Sequence, residues 1–157
     1  MKKLSHAVIP LALIATLSGC QQLRPADASQ PLDCAALQAV IAAEANHFQP
    51  IIDKRESTKF GYVWRANTHA FGDACTLMGT TDKPSRYLCT LPGRPEQALA
   101  QLNQEVAACV GSQWVATPLE LGTRYAKPDS SIIVFVGHTD EDAAKNKSYG
   151  LLVRRLQ

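Results

Sequence analysis

The sequence predicts an α+β domain in which two helices pack on one face of a mainly antiparallel sheet. Three observations lead there. Two stretches carry apolar residues at helical spacing, several short segments carry strand patterns with no helix between successive members, and the joins between those segments are of hairpin length. A doubly wound parallel fold would instead alternate strand with helix. The 157 residues make a one-domain length, and 46% apolar with 19% charged residues can close one core. The predicted order is helix, three strands, helix, then three to four strands.

Taken along the chain, Asp33 is a good N-cap, and Leu37, Val40, Ile41, Ala45 and Phe48 follow at spacings of three and four. Pro50 ends that helix. Strand patterns occupy Gly61 to Ala66, Ala74 to Gly79 and Arg86 to Leu91, the last two separated by the turn-rich run Thr80 to Ser85. A second helix starts near Pro95, where proline suits the first helical position, and carries Leu99, Leu102, Val106 and Cys109 on one face before Gly111. Gln113 to Ala116, Leu121 to Tyr125, Ser131 to Val136 and Tyr149 to Arg154 complete the strands. No internal repeat is visible in the residues themselves.

The N-terminus has the three parts of an export signal: Lys2 and Lys3, an apolar run from Ala7 to Leu17, and the small residues Ser18 and Gly19. The run is too short to span a bilayer, which takes about 20 apolar residues. Leu17-Ser18-Gly19-Cys20 resembles the lipobox of bacterial lipoproteins. The resemblance covers residues 1 to 20 and no further. It implies cleavage between Gly19 and Cys20, a diacylglyceryl group on the Cys20 thiol, and acylation of the new amine with palmitate. Gln21 stands where many such lipoproteins carry the Asp that marks inner-membrane retention. The resemblance therefore implies a cell-envelope location, on the periplasmic leaflet of the outer membrane. One acyl chain binds a membrane only marginally, whereas several anchor it stably. Residues 20 to 31, with Pro25 and Pro31 and no apolar periodicity, read as a lipidated tether of roughly 20 Å. Residues 32 to 157 are then one disulfide-stapled domain.

Beyond residue 19 the cations fall from 16 to 14, because Lys2 and Lys3 leave with the signal, and the 14 acids all remain. A formally neutral domain offers no compositional case for nucleic acid, which needs a basic face to displace counterions. With Cys20 acylated, Cys34, Cys75, Cys89 and Cys109 remain, an even number in a compartment that permits disulfides. Four cysteines allow three pairings. Their spacings match no zinc or redox motif. Cys75 and Cys89 flank the Pro84 turn on two neighbouring strands. Cys34 begins the first helix and Cys109 ends the second, so antiparallel helices bring those ends together. The expected pairs are Cys34 with Cys109 and Cys75 with Cys89.

Catalytic patterns are not found. No serine lies in a Gly-x-Ser-x-Gly elbow, all four cysteines fit the disulfide account, and neither GxGxxG nor GxxxxGK occurs, so no catalytic residue and no cofactor are assigned. His47 reads as a helix C-terminal histidine in a favourable dipole. His69 reads as a loop residue. His138, Asp140 and Asp142 are the weak metal candidates, a histidine and oxygen ligands without EF-hand spacing. Tyr62, Trp64, Tyr87 and Trp114 read as core rather than as an aromatic interface.

The expectation is a non-enzymatic, membrane-anchored periplasmic lipoprotein that binds another envelope protein as inhibitor, immunity or accessory factor. Two alternatives stand beside it. A small periplasmic hydrolase would use His69 or His138 with an acid, and a metal or small-ligand module would use Asp140 to Asp142.

Overall fold

The computed structural model describes residues 31–157 except 60, 73, 92–95, 140–143, 146–147 and 157. The expected export signal, Gly19, Cys20, nearly all of the expected tether, Pro95, Asp140 and Asp142 lie outside the described residues. The chain forms two helices and one antiparallel sheet of eight strands, an α+β architecture. Helix α1 spans Cys34–Glu44, and after a short 3-10 turn at Gln49–Ile51 come β1 (Ile52–Thr58), β2 (Gly61–Ala66), β3 (Cys75–Gly79) and β4 (Arg86–Leu91). Helix α2 spans Glu96–Val110 and precedes β5 (Val115–Leu119), β6 (Gly122–Ala126), β7 (Ile132–Gly137) and β8 (Tyr149–Arg155).

Strand order across the sheet is β1-β2-β3-β4-β8-β7-β6-β5. Each half is thus a helix followed by a four-stranded meander, and the halves meet where β4 pairs antiparallel with β8. The repeat that the residues do not show is present in the topology. The expected order is corrected in one respect, because four strands, not three, separate the helices. The additional strand, β1, reads Ile-Asp-Lys-Arg-Glu-Ser-Thr, and all but Ile52 are exposed. An edge strand with neither face buried has no apolar alternation to detect, and its charges guard a free edge against pairing with other chains.

Asp33 caps α1 as expected, its carboxylate accepting the Ala36 N–H at 3.0 Å. The helix ends earlier than its apolar stripe suggests. Leu37, Val40, Ala43 and Glu44 are its buried residues, while Ala45 is exposed. His47 and Phe48 then take left-handed conformations, φ 52° and 59°, which side chains other than glycine adopt at a cost of about 1 to 2 kcal/mol each. Complete burial of Phe48 and the bond from its N–H to the Ala43 carbonyl at 2.8 Å offset that cost. Helix α2 buries Leu102, Val106 and Val110, and Gly111 closes it at φ 81°, where a Cβ would be disfavoured.

Both helices lie on the same face of the sheet, with α1 against β8 and α2 against β7. One row of paired residues runs across that face from Trp64 through Leu77, Tyr87, Val153 and Val134 to Tyr125, and every one of them is buried. Cys34 pairs with Cys109 across the two helices, Cα atoms 5.3 Å apart, and Cys75 pairs with Cys89 between β3 and β4 at 4.1 Å. These are the expected pairs. The helix ends are further tied by Gln38 Nε2 donating to the Cys109 carbonyl at 2.7 Å and by the Leu32 N–H donating to Glu105 Oε2 at 3.0 Å.

Candidate functional site

Among the described residues the candidate histidines His69 and His138 are not brought together. His69 Nε2 is 3.0 Å from the Ala66 carbonyl and His138 Nδ1 is 2.6 Å from the Ser148 carbonyl, so one ring nitrogen of each imidazole is held by nearby backbone. His69 belongs to the β2–β3 connection and His138 follows β7, with β4 and β8 between those strands. Among the described residues no three His, Cys, Asp or Glu side chains are grouped as metal ligands would be. Asp140 and Asp142, the intended partners of His138, lie outside the described residues.

The aromatic residues divide. Trp64 and Tyr87 are buried, and both belong to the core as expected. Tyr87 also fixes a loop: its hydroxyl accepts the Ala70 N–H at 3.0 Å and donates to the Thr68 carbonyl at 2.9 Å. Burial pushes its pKa up to about 12. Tyr125 plays a parallel part in the second half, its hydroxyl donating to Asn103 on α2 at 2.9 Å, and burial raises its pKa too. Tyr62 and Trp114 are half-buried and lie beneath cations, Arg55 at 4.2 Å from the Tyr62 ring centre and Lys127 at 5.7 Å from that of Trp114.

The sheet face away from the helices is where chemistry gathers. A strand shows alternate residues to opposite faces, so the register fixes its membership. One row runs Lys54, Arg65, Thr76, Leu88, Leu152, Phe135, Arg124 and Thr117. The next runs Glu56, Val63, Met78, Arg86, Arg154 and Ile133. Apart from Ile133 these residues are half-buried or exposed. Leu88, Leu152, Met78 and Val63 form the apolar centre. Phe135 lies over Gly122 and Gly137, because a Cβ built on either glycine would meet its ring at 2.9 Å. A large ring thus occupies space that paired glycines leave open.

Cations surround this apolar centre, and Glu56 is the one carboxylate among the paired strand residues of the face. Arg86 and Arg154 are direct cross-strand partners at the β4–β8 seam, both exposed. Like charges placed directly opposite repel. Among the described residues neither has an acidic partner, and Arg124 Nε is buried without a hydrogen-bond acceptor. Arg155, one residue along, differs. It grips the buried Glu44 carboxylate with two bonds, Nε to Oε1 at 3.1 Å and a terminal nitrogen to Oε2 at 2.8 Å. Those bonds and the Glu44 charge raise the Arg155 pKa further.

A cleft of about 750 Å³ extends from this seam around the end of the sheet to the C-terminus of α1, with Arg86, Arg154, Met78, Arg155, Glu44 and His47 in its walls. Sequence reasoning did not find this site. The only signal available was the isolated arginines within strand patterns, and these read as ordinary solvent-facing residues until the register brings them together.

No family model, curated protein or solved structure matches this chain. Among the described residues no helix is long and apolar enough to cross a membrane.

Proposed function

We propose that this chain is a lipid-anchored protein of the bacterial envelope that acts by binding another protein, and that it does no chemistry of its own. The lipobox at Leu17 to Cys20 supports the anchor, and Gln21 supports the periplasmic leaflet of the outer membrane. The observation that carries the binding role is the open face of the sheet. An eight-stranded sheet covered by helices on one side only leaves Leu88, Leu152, Met78 and Phe135 in contact with water, rimmed by arginine. Apolar centres with arginine and aromatic side chains are the composition of protein interfaces. Inhibitor, immunity factor and accessory subunit of an envelope machine are all roles of this kind.

Photocrosslinking in cells tests the reading. A benzophenone amino acid is placed at Thr76 on the open face or at Gln104 on the exposed side of α2, and adducts are identified by mass spectrometry. A discrete protein adduct from either position is expected, and no protein adduct from both overturns the reading. The anchor is tested separately: Cys20→Ala removes acylation and moves the protein out of the membrane fraction, and continued membrane fractionation counts against the lipid as the anchor.

A further inference from the structure

We infer that the open face of the sheet receives an acidic segment of its partner, with Arg86 and Arg154 at the β4–β8 seam as the carboxylate-binding pair. This rests on the protein-binding reading above and specifies where the partner sits and what it carries.

Charge segregation is the first argument. The chain beyond residue 19 is formally neutral, with 14 cations and 14 acids. Yet among the described paired strand residues Lys54, Arg65, Arg86, Arg154 and Arg124 share one face with Glu56 alone. Apart from Asp53 in β1, the other described acids lie on helices, caps and turns, as with Glu44, Glu105, Asp82, Glu120 and Asp129. A face with this imbalance attracts anions and repels cationic partners.

The second argument is the unrelieved repulsion at the seam. Arg155 shows that this chain supplies a carboxylate to an arginine where stability calls for one, since Glu44 is buried to meet it. Arg86 and Arg154, adjacent in the sheet and opening into the cleft, receive none among the described residues. Two guanidinium groups side by side make a site for carboxylate oxygens, which each can grip in bidentate fashion. Leu88 and Leu152, paired next to them, offer apolar contact to the residues that flank such a carboxylate.

An anionic membrane surface is the competing occupant, and the shape of the face argues against it. A bilayer is flat and is entered by protruding apolar side chains. Here Leu88, Leu152, Met78 and Phe135 are half-buried within the sheet surface, and the arginine pair opens into a cleft of about 750 Å³. A protruding peptide segment fits a cleft.

The test uses the full acylated chain in neutral detergent micelles and a fluorescein-labelled peptide of alternating glutamate and leucine, with glutamine replacing glutamate in the control. Fluorescence anisotropy is expected to show salt-sensitive binding, at least about tenfold weaker for the glutamine peptide. R86Q/R154Q should lose at least about tenfold in affinity for the glutamate peptide, and R86K/R154K should fall between it and the parent. Lys127→Gln, a cation off this face, should change nothing. Parent-like binding by R86Q/R154Q overturns the inference, as does equal binding of the two peptides. A benzophenone at Thr76 then separates the occupants in vesicles containing phosphatidylglycerol: an adduct to the glutamate peptide supports the inference, and an adduct to lipid overturns it. In-cell protein adducts from Gln104 alone would leave the partner reading standing while removing the open face from it.

Discussion

On the covered face of the sheet, Trp64, Leu77, Tyr87, Val153, Val134 and Tyr125 lie in one buried row beneath two helices. On the open face the same strands carry Arg65, Thr76, Leu88, Leu152, Phe135 and Arg124 in contact with water, and in the next row Arg86 lies directly opposite Arg154. On the covered face the Tyr87 and Tyr125 hydroxyls find partners within the fold. Among the described residues the open face leaves Arg124 Nε without an acceptor and Arg86 beside Arg154. One side of the sheet is buried beneath the helices, while the other has the groups of a surface that awaits a ligand.

The largest effect expected from disturbing this division comes from the helices that form the cover. Replacing Cys34 and Cys109 by serine frees a loop with a sequence separation of 75 residues and should cost about 4 kcal/mol on the chain-entropy model, read as a lower urea midpoint. Next in size is a direct comparison of the two faces, because Leu151 and Leu152 are neighbours of one residue type pointing opposite ways. Leu151 is fully buried and Leu152 is half-buried. Leu151→Ala should cost about 2 to 5 kcal/mol, while Leu152→Ala should cost less than about 1.5 kcal/mol. Equal losses from the two would mean that the open face is itself part of the core.

Tyr87 adds a pH signature that belongs to the covered face alone. Its folded pKa is raised from 10.0 to about 12, so the neutral phenol is the form that the fold favours. The stability this contributes is fully present below about pH 10, the unfolded value, and is lost as pH rises toward 12, amounting to about 2 to 3 kcal/mol. Tyr87→Phe should remove that alkaline loss. It should also cost about 1 to 3 kcal/mol at neutral pH, because the buried Ala70 N–H loses its acceptor. Urea titrations of both proteins between neutral and alkaline pH measure the two effects.

What the residues reveal follows the same division. Helices and covered strands repeat apolar residues at periods that sequence displays, which is why both helices and six of the strands were legible, together with both cysteine pairs, while β5, exposed except at Thr117, was expected at Gln113 to Ala116 and shares only Val115 and Ala116 with that span. Strand β1 was not, since its exposed Asp53 to Thr58 have no buried side to alternate with. The site was not legible either. Arg65, Arg86, Arg124 and Arg154 are separated by at least twenty residues along the chain, and only the register of β2, β4, β6 and β8 puts them on one face. Left-handed His47 and Phe48 escaped notice for a different reason. Glycine is the usual mark of such a conformation, and none is present there.

The smallest effect has the most to say about the open face, because its sign is unusual. Most substitutions destabilise, but R86Q or R154Q removes one member of a cross-strand pair of like charges and no hydrogen bond among the described residues. Either should therefore raise stability, by a few tenths to about 1 kcal/mol at low salt, with the gain shrinking as salt screens the repulsion. Urea midpoints at two ionic strengths measure this. A stabilising substitution that also weakens binding of the acidic peptide would show that the arginine pair is kept at a cost to the fold, as expected where stability and function compete for the same residues. A destabilising R86Q would instead place Arg86 in the structural framework and return the seam to the covered side of the comparison.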